Sequence, residues 1–178
     1  MLPPGHIAAG FLTAEVLLHV VHPQLSSIQQ NQLLWWGMFF GFAPDLDTFI
    51  AFAKEKAFII TNPKNSHRKI FTHAPLLWML AGLALMLFAG SLYWKWVGLL
   101  LWAGSWSHFF LDTIQYGIMW LWPFSSRIYA FTDKELNFNI KEHGFFGYWL
   151  KFLKSYSKQI SFYLEVLIIL TALIIYFK

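Results

Sequence analysis

Five long apolar stretches, with ionisable side chains set inside them, constrain this chain more than any other feature. They cover about 5–21, 33–53, 74–92, 96–120 and 160–177. Each is close to the ~20 residues a helix needs to cross a hydrocarbon core, the first, third and fifth being somewhat short. Of the 178 residues 57% are hydrophobic and only 12% charged, against roughly 25% charged in a soluble domain. A soluble fold of this size could not hide that much apolar surface, so lipid must cover part of it. The expectation is an all-α, polytopic membrane protein of about five transmembrane helices, with residues 1–178 forming a single membrane-embedded domain.

Lysine and arginine set the orientation. Lys54, Lys56, Lys64, Arg68 and Lys69 lie between the second and third stretches; Arg127, Lys134, Lys141, Lys151, Lys154 and Lys158 lie between the fourth and fifth. The other two connections carry only Lys95. The positive-inside rule then puts both basic loops and the N-terminus in the cytoplasm. MLPPGHIAAGF lacks the charged start of a secretory signal, so the first stretch is expected to remain as a helix. FFGYWLKFLKSYSKQISF interleaves aromatics with Lys151, Lys154 and Lys158. That pattern suits a helix lying among headgroups with its lysines toward anionic lipid; the plainer reading is a lead-in to the fifth stretch.

Ionisable groups in or beside apolar helices are costly and tend to mark function. Here they are His6, Glu15, His19, Asp45, Asp47, His67, His73, His108, Asp112 and Glu165. All but Glu15 and His19 fall toward the cytoplasmic side, as a convergent site in a helical bundle requires. His108 and Asp112 are four residues apart and share a helical face. Glu15 and His19 have the same spacing but sit near the outer end of their helix, where a private pair explains them. His22 and His143 read as interfacial or loop residues.

Each member also has a plainer explanation. A lone histidine can be a packing residue, and His108 with Asp112 can be a closed pair. The aspartates of PDLD can cap a turn after Pro44. Glu165 can join two helices or orient a ligand histidine from behind. One shared site accounts for all of them together.

The chain has no cysteine, so disulfides and thiolate metal sites are excluded. Imidazole with carboxylate suits zinc, iron or manganese. The candidates exceed what one tetrahedral zinc uses. Two ions bridged by an aspartate would use them, and such a pair activates water and clamps a phosphoryl group. Arg68 could hold a phosphate oxygen; Lys69 and Arg127 are explained already as basic-loop residues.

The ordered set His6, PDLD, HRKIFTH, HFFLD and WPFS, over residues 6 to about 125, resembles the LexA-binding, inner-membrane-associated metal-dependent hydrolases, the YdjM-like group. That group is similar to zinc-dependent phospholipase C. The resemblance implies metal ligands at His6, Asp45 or Asp47, His67 or His73, His108 and Asp112. The phospholipase's later His-x-x-x-Glu has no counterpart, since His143 is followed by Gly, Phe, Phe and Gly. This argues against a full three-metal site.

The reading is a membrane-bound metal-dependent hydrolase of a phosphoester, either a small molecule or a lipid-linked substrate. One or two divalent ions, zinc above all, are expected on His6, Asp45, His67, His73, His108 and Asp112. Asp47 is expected to take a proton from the attacking water and Arg68 to steady the phosphoryl oxygens. Membrane lipid is the expected partner, and nucleic acid is not. The rivals are a metal-ion carrier, a haem protein and a non-catalytic scaffold.

Overall fold

The computed structural model describes residues 1–56, 58, 67–115, 117–132 and 145–178. Lys64, Lys134, Lys141 and His143, used in the reading above, lie outside them. The described residues form helices: α1 Pro3–Val21, α2 Ser27–Phe42, α3 Thr48–Glu55, α4 Pro75–Phe88, α5 Leu92–Thr113, α6 Phe145–Tyr156 and α7 Ile160–Tyr176. Their one extended pairing is an isolated bridge between Ile118 and Tyr129.

Local chemistry explains where these helices start and stop. Prolines open α1 and α4, at positions whose N–H groups need no helical partner. Ser26 caps α2, and Gln29 returns the bond to complete a capping box. The second apolar stretch is not one straight helix. Pro44 cannot continue α2, so the chain leaves it at Phe42, passes through a 3-10 helix over Ala43–Asp47 and resumes as α3. The fourth stretch also differs from expectation. Its helix begins at Leu92, behind a Ser91 cap, and ends at Thr113. Gly117 then takes φ 85°, and Ile118 and Tyr129 exchange both backbone hydrogen bonds, at 3.0 and 2.9 Å.

Among the described residues, α1 is the one helix long and apolar enough by itself to cross a membrane. α6 and α7 qualify together but are bent by 87° at their junction, and α4 is a shorter apolar helix.

α1 lies against α2, α5 and α7, while α5 also packs on α2 and α4. Glycine makes the α1–α2 crossing close. A Cβ on Gly37 would stand 2.6 Å from both Ala14 Cβ and Gly10 O, and one on Gly41 would collide with His6 O. Gly37 and Gly41 in GMFFG are therefore a small-xxx-small face that lets two backbones touch. Ala14, Leu33, Phe40, Val97 and Leu100 fill the core beside that crossing. The result sets the start of α1, the end of α2 and the last turns of α5 side by side.

Candidate metal centre

Four elements meet at that end of the bundle. His6 comes from α1, Asp45 and Asp47 from the 3-10 break at Pro44, His73 from a second 3-10 turn ahead of α4, and His108 and Asp112 from α5. All six are buried. The break that ends α2 is what brings two aspartates to α5 instead of leaving them on a continuous helical face.

One ligand atom from each of Asp45, His73, His108 and Asp112 lies within 4.8 Å of the other three. At the centre the Nε2 atoms of His73 and His108 are 3.3 Å apart. Asp45 Oδ1 is 3.6 Å and Asp112 Oδ2 3.7 Å from His108 Nε2, and Asp112 Oδ2 is 3.5 Å from His73 Nε2. His6 adds a third imidazole. Its Nε2 is 3.3 Å from Asp112 Oδ1 and 3.9 Å from Asp45 Oδ2. Its ring stacks on His108 with centroids 3.7 Å apart.

The outer edges of the two central rings are held. His73 Nδ1 lies 3.0 Å from Asp47 Oδ2, which also accepts from Thr72 Oγ1 at 2.9 Å. His108 Nδ1 lies 3.0 Å from Gly41 O, on the glycine face that admits α1. With both Nδ1–H groups donating outward, both Nε2 lone pairs point inward at each other. This is how metal-ligating histidines are oriented. Two facing lone pairs repel unless a cation stands between them. A proton can take that place: burial opposes charge on His73, but hydrogen bonds to Asp112 and Asp47 outweigh it and raise His73 to about 9.

Both ring nitrogens of His6, and Asp47 Oδ1, are buried with no hydrogen bond among the described residues. Unpaired buried polar atoms of this kind cost about 1–3 kcal/mol each. The donor set, imidazole nitrogen and carboxylate oxygen without sulfur, fits a zinc-, iron- or manganese-type ion. Two cationic groups also reach Asp112. Arg68 Nη2 is 2.5 Å from Oδ2, and the Met1 amino group is 2.7 Å from Oδ1. Arg68 also approaches Gly117 O at 3.5 Å.

Other expected residues lie elsewhere. His67 opens the 3-10 helix His67–Lys69, and its side chain is outside the described residues. Glu15 and His19 are not a closed pair: among the described residues no bond joins them, and the His19 ring instead meets His22 edge-on at 5.5 Å. Arg127 sits over the Tyr129 ring at 5.5 Å.

Glu165 is buried against the start of α1 instead of joining the cluster. It accepts hydrogen bonds from Gly5 N–H at 3.1 Å, from Leu2 N–H at 3.2 Å and from the Tyr156 hydroxyl. A carboxylate there takes the Leu2 N–H and shares the Gly5 N–H with Leu2 O, and it suits the positive end of the helix dipole. Sequence reasoning missed Gly41, Thr72 and Tyr156. The GMFFG spacing was the signal available for Gly41; a backbone carbonyl and two common hydroxyls offer none.

No curated protein and no solved structure matches this chain. The profile of one family does, over residues 1–178. With the whole chain matched and a buried His/Asp cluster at the end of its bundle, the chain belongs to the YdjM inner membrane protein family.

Proposed function

We propose that the cluster is the divalent-metal centre of a membrane-embedded hydrolase acting on a phosphoester at the cytoplasmic face. The observation that carries this reading is the pair of Nε2 atoms 3.3 Å apart, each ring turned by an outward bond, with Asp45 and Asp112 beside them. His6, Asp45, His73, His108 and Asp112 would hold one or two ions, zinc being the expected species. A bound ion would supply Lewis acidity to a phosphoryl oxygen and an attacking water. Asp47 orients His73 through Oδ2, which leaves the unpaired Oδ1 to take the water's proton. Arg68 is the reach from the basic loop; its guanidinium, now on Asp112, would steady the phosphoryl oxygens.

The same reading has α1, α2 with α3, α4, α5 and α7 as five membrane crossings, N-terminus inside. It is supported by the match of these helices to the five apolar stretches and by large apolar side chains exposed along them, such as Val20, Leu87 and Ile174. Lipid or lipid-linked phosphoesters are the favoured substrates, because the site lies at the end of apolar helices.

The test is elemental analysis of detergent-purified protein after zinc loading, followed by a screen of phosphomono- and phosphodiesters. One or two bound ions and a zinc-dependent release of product are expected. Protein that binds no zinc, iron or manganese overturns the reading.

A further inference from the structure

We propose that α6 is a docking surface for the anionic headgroups of the bilayer, lying flat in the cytoplasmic interface. The proposal rests on α7 crossing the membrane and is independent of any hydrolytic activity. α7 is apolar apart from Ser161, Glu165 and Thr171, and α6 meets it at 87°. If α7 stands across the bilayer, α6 must run along its surface.

At about 100° per residue α6 has three faces. Tyr148 and Tyr156 are buried, and the Tyr156 hydroxyl binds Glu165, so the helix cannot roll about its axis. Phe146, Leu150 and Leu153 form a second stripe, exposed at 79%, 69% and 46%. Lys151 and Lys154 form a third, exposed and continued by Lys158 beyond the helix end. Water is a poor environment for the second stripe, and a headgroup layer meets the second and third together. An interfacial helix sinks its apolar stripe to the acyl boundary while lysines reach up to phosphates along their own methylene stems. Three exposed lysines beside the apolar stripe fit anionic lipid rather than a neutral surface.

The absence of cysteine makes the test direct. Single-cysteine variants Leu150→Cys and Lys154→Cys of the full chain, carrying a nitroxide, are placed in nanodiscs of phosphatidylcholine with and without phosphatidylglycerol. Accessibility to oxygen and to a water-soluble nickel chelate is then compared. The oxygen-to-nickel ratio should be several-fold higher at 150 than at 154, with the contrast growing in anionic discs and shrinking in salt. Adding K151Q, K154Q and K158Q to the Leu150→Cys variant should remove the response to lipid charge. Equal nickel access at both positions overturns the proposal. So does a label at 150 that is shielded regardless of lipid charge, or shielded only when two copies share a disc.

Discussion

Asp112 and Glu165 are both buried carboxylates on apolar helices, and their surroundings differ in kind. Around Glu165 the partners are donors: two backbone N–H groups and a tyrosine hydroxyl. Its oxygens are filled and its task is complete. Around Asp112 stand the Arg68 guanidinium, the Met1 amino group and the ring nitrogens of His6, His73 and His108, with the Asp45 carboxylate beyond. Two cations already sit on Asp112, yet three imidazoles and a second carboxylate crowd beside it, and neither ring nitrogen of His6 has a hydrogen bond among the described residues. A buried polar residue therefore says little by itself. What separates a structural knot from a binding site is whether its neighbours complete it or share its need for a cation.

Four experiments bear on that contrast. The largest effect is expected from His108→Ala, which should abolish stoichiometric metal binding while the protein still elutes as a folded species. Wild-type metal content in that variant would make the cluster a second knot. Asp47→Asn should keep a metal but bind it about 10–100-fold more weakly, as loss of an orienting partner does; competition with a chelator reads this. An unchanged affinity would remove Asp47 from the centre. Metal uptake should also release protons. His73, raised to about 9, holds a proton below that pH and must lose it to ligate. Apparent affinity should then climb about tenfold per pH unit up to 9 for one displaced proton. A flat titration would mean that the ring is already neutral. The smallest effect belongs to the other region: Glu165→Gln should lower stability by about 1–3 kcal/mol, because an amide N–H would face N–H donors. Thermal unfolding in detergent measures it, and metal at saturation should stay bound. Metal lost with stability intact would erase the distinction.

Much of the site was legible because its members are conspicuous. Histidine and aspartate inside LLWAGSWSHFFLDT have no cheap explanation, and the loop charges assigned most of the outliers to one side. The helices were legible for the same reason: the apolar stretches match α1, α4 and α7 within a few residues, while the fourth overlaps α5 but runs seven residues past its end. What remained hidden depends on backbone geometry. Pro44 announced a break, yet nothing in PDLD says which aspartate faces the ring nitrogens and which stands behind them. The structure puts Asp45 near His108 Nε2 and Asp47 behind His73. Glu165 stayed open between joining helices and serving the site, because spacing and depth cannot register donors supplied by a helix start many residues away; it joins α7 to α1. Glu15 and His19 did mislead: the i, i+4 spacing permits a bond without requiring one.

The bonds that Leu2 and Gly5 donate to Glu165 also join distant parts of the chain. Glu165 lies 160 residues beyond Gly5, so the opening turn of α1 gains this partner only when α7 has docked beside it. His6 directly follows Gly5, so a carboxylate outside the cluster steadies the turn that carries one of its imidazoles. Closing the first turn with the last helix makes the cluster's geometry depend on the meeting of α1 with α7.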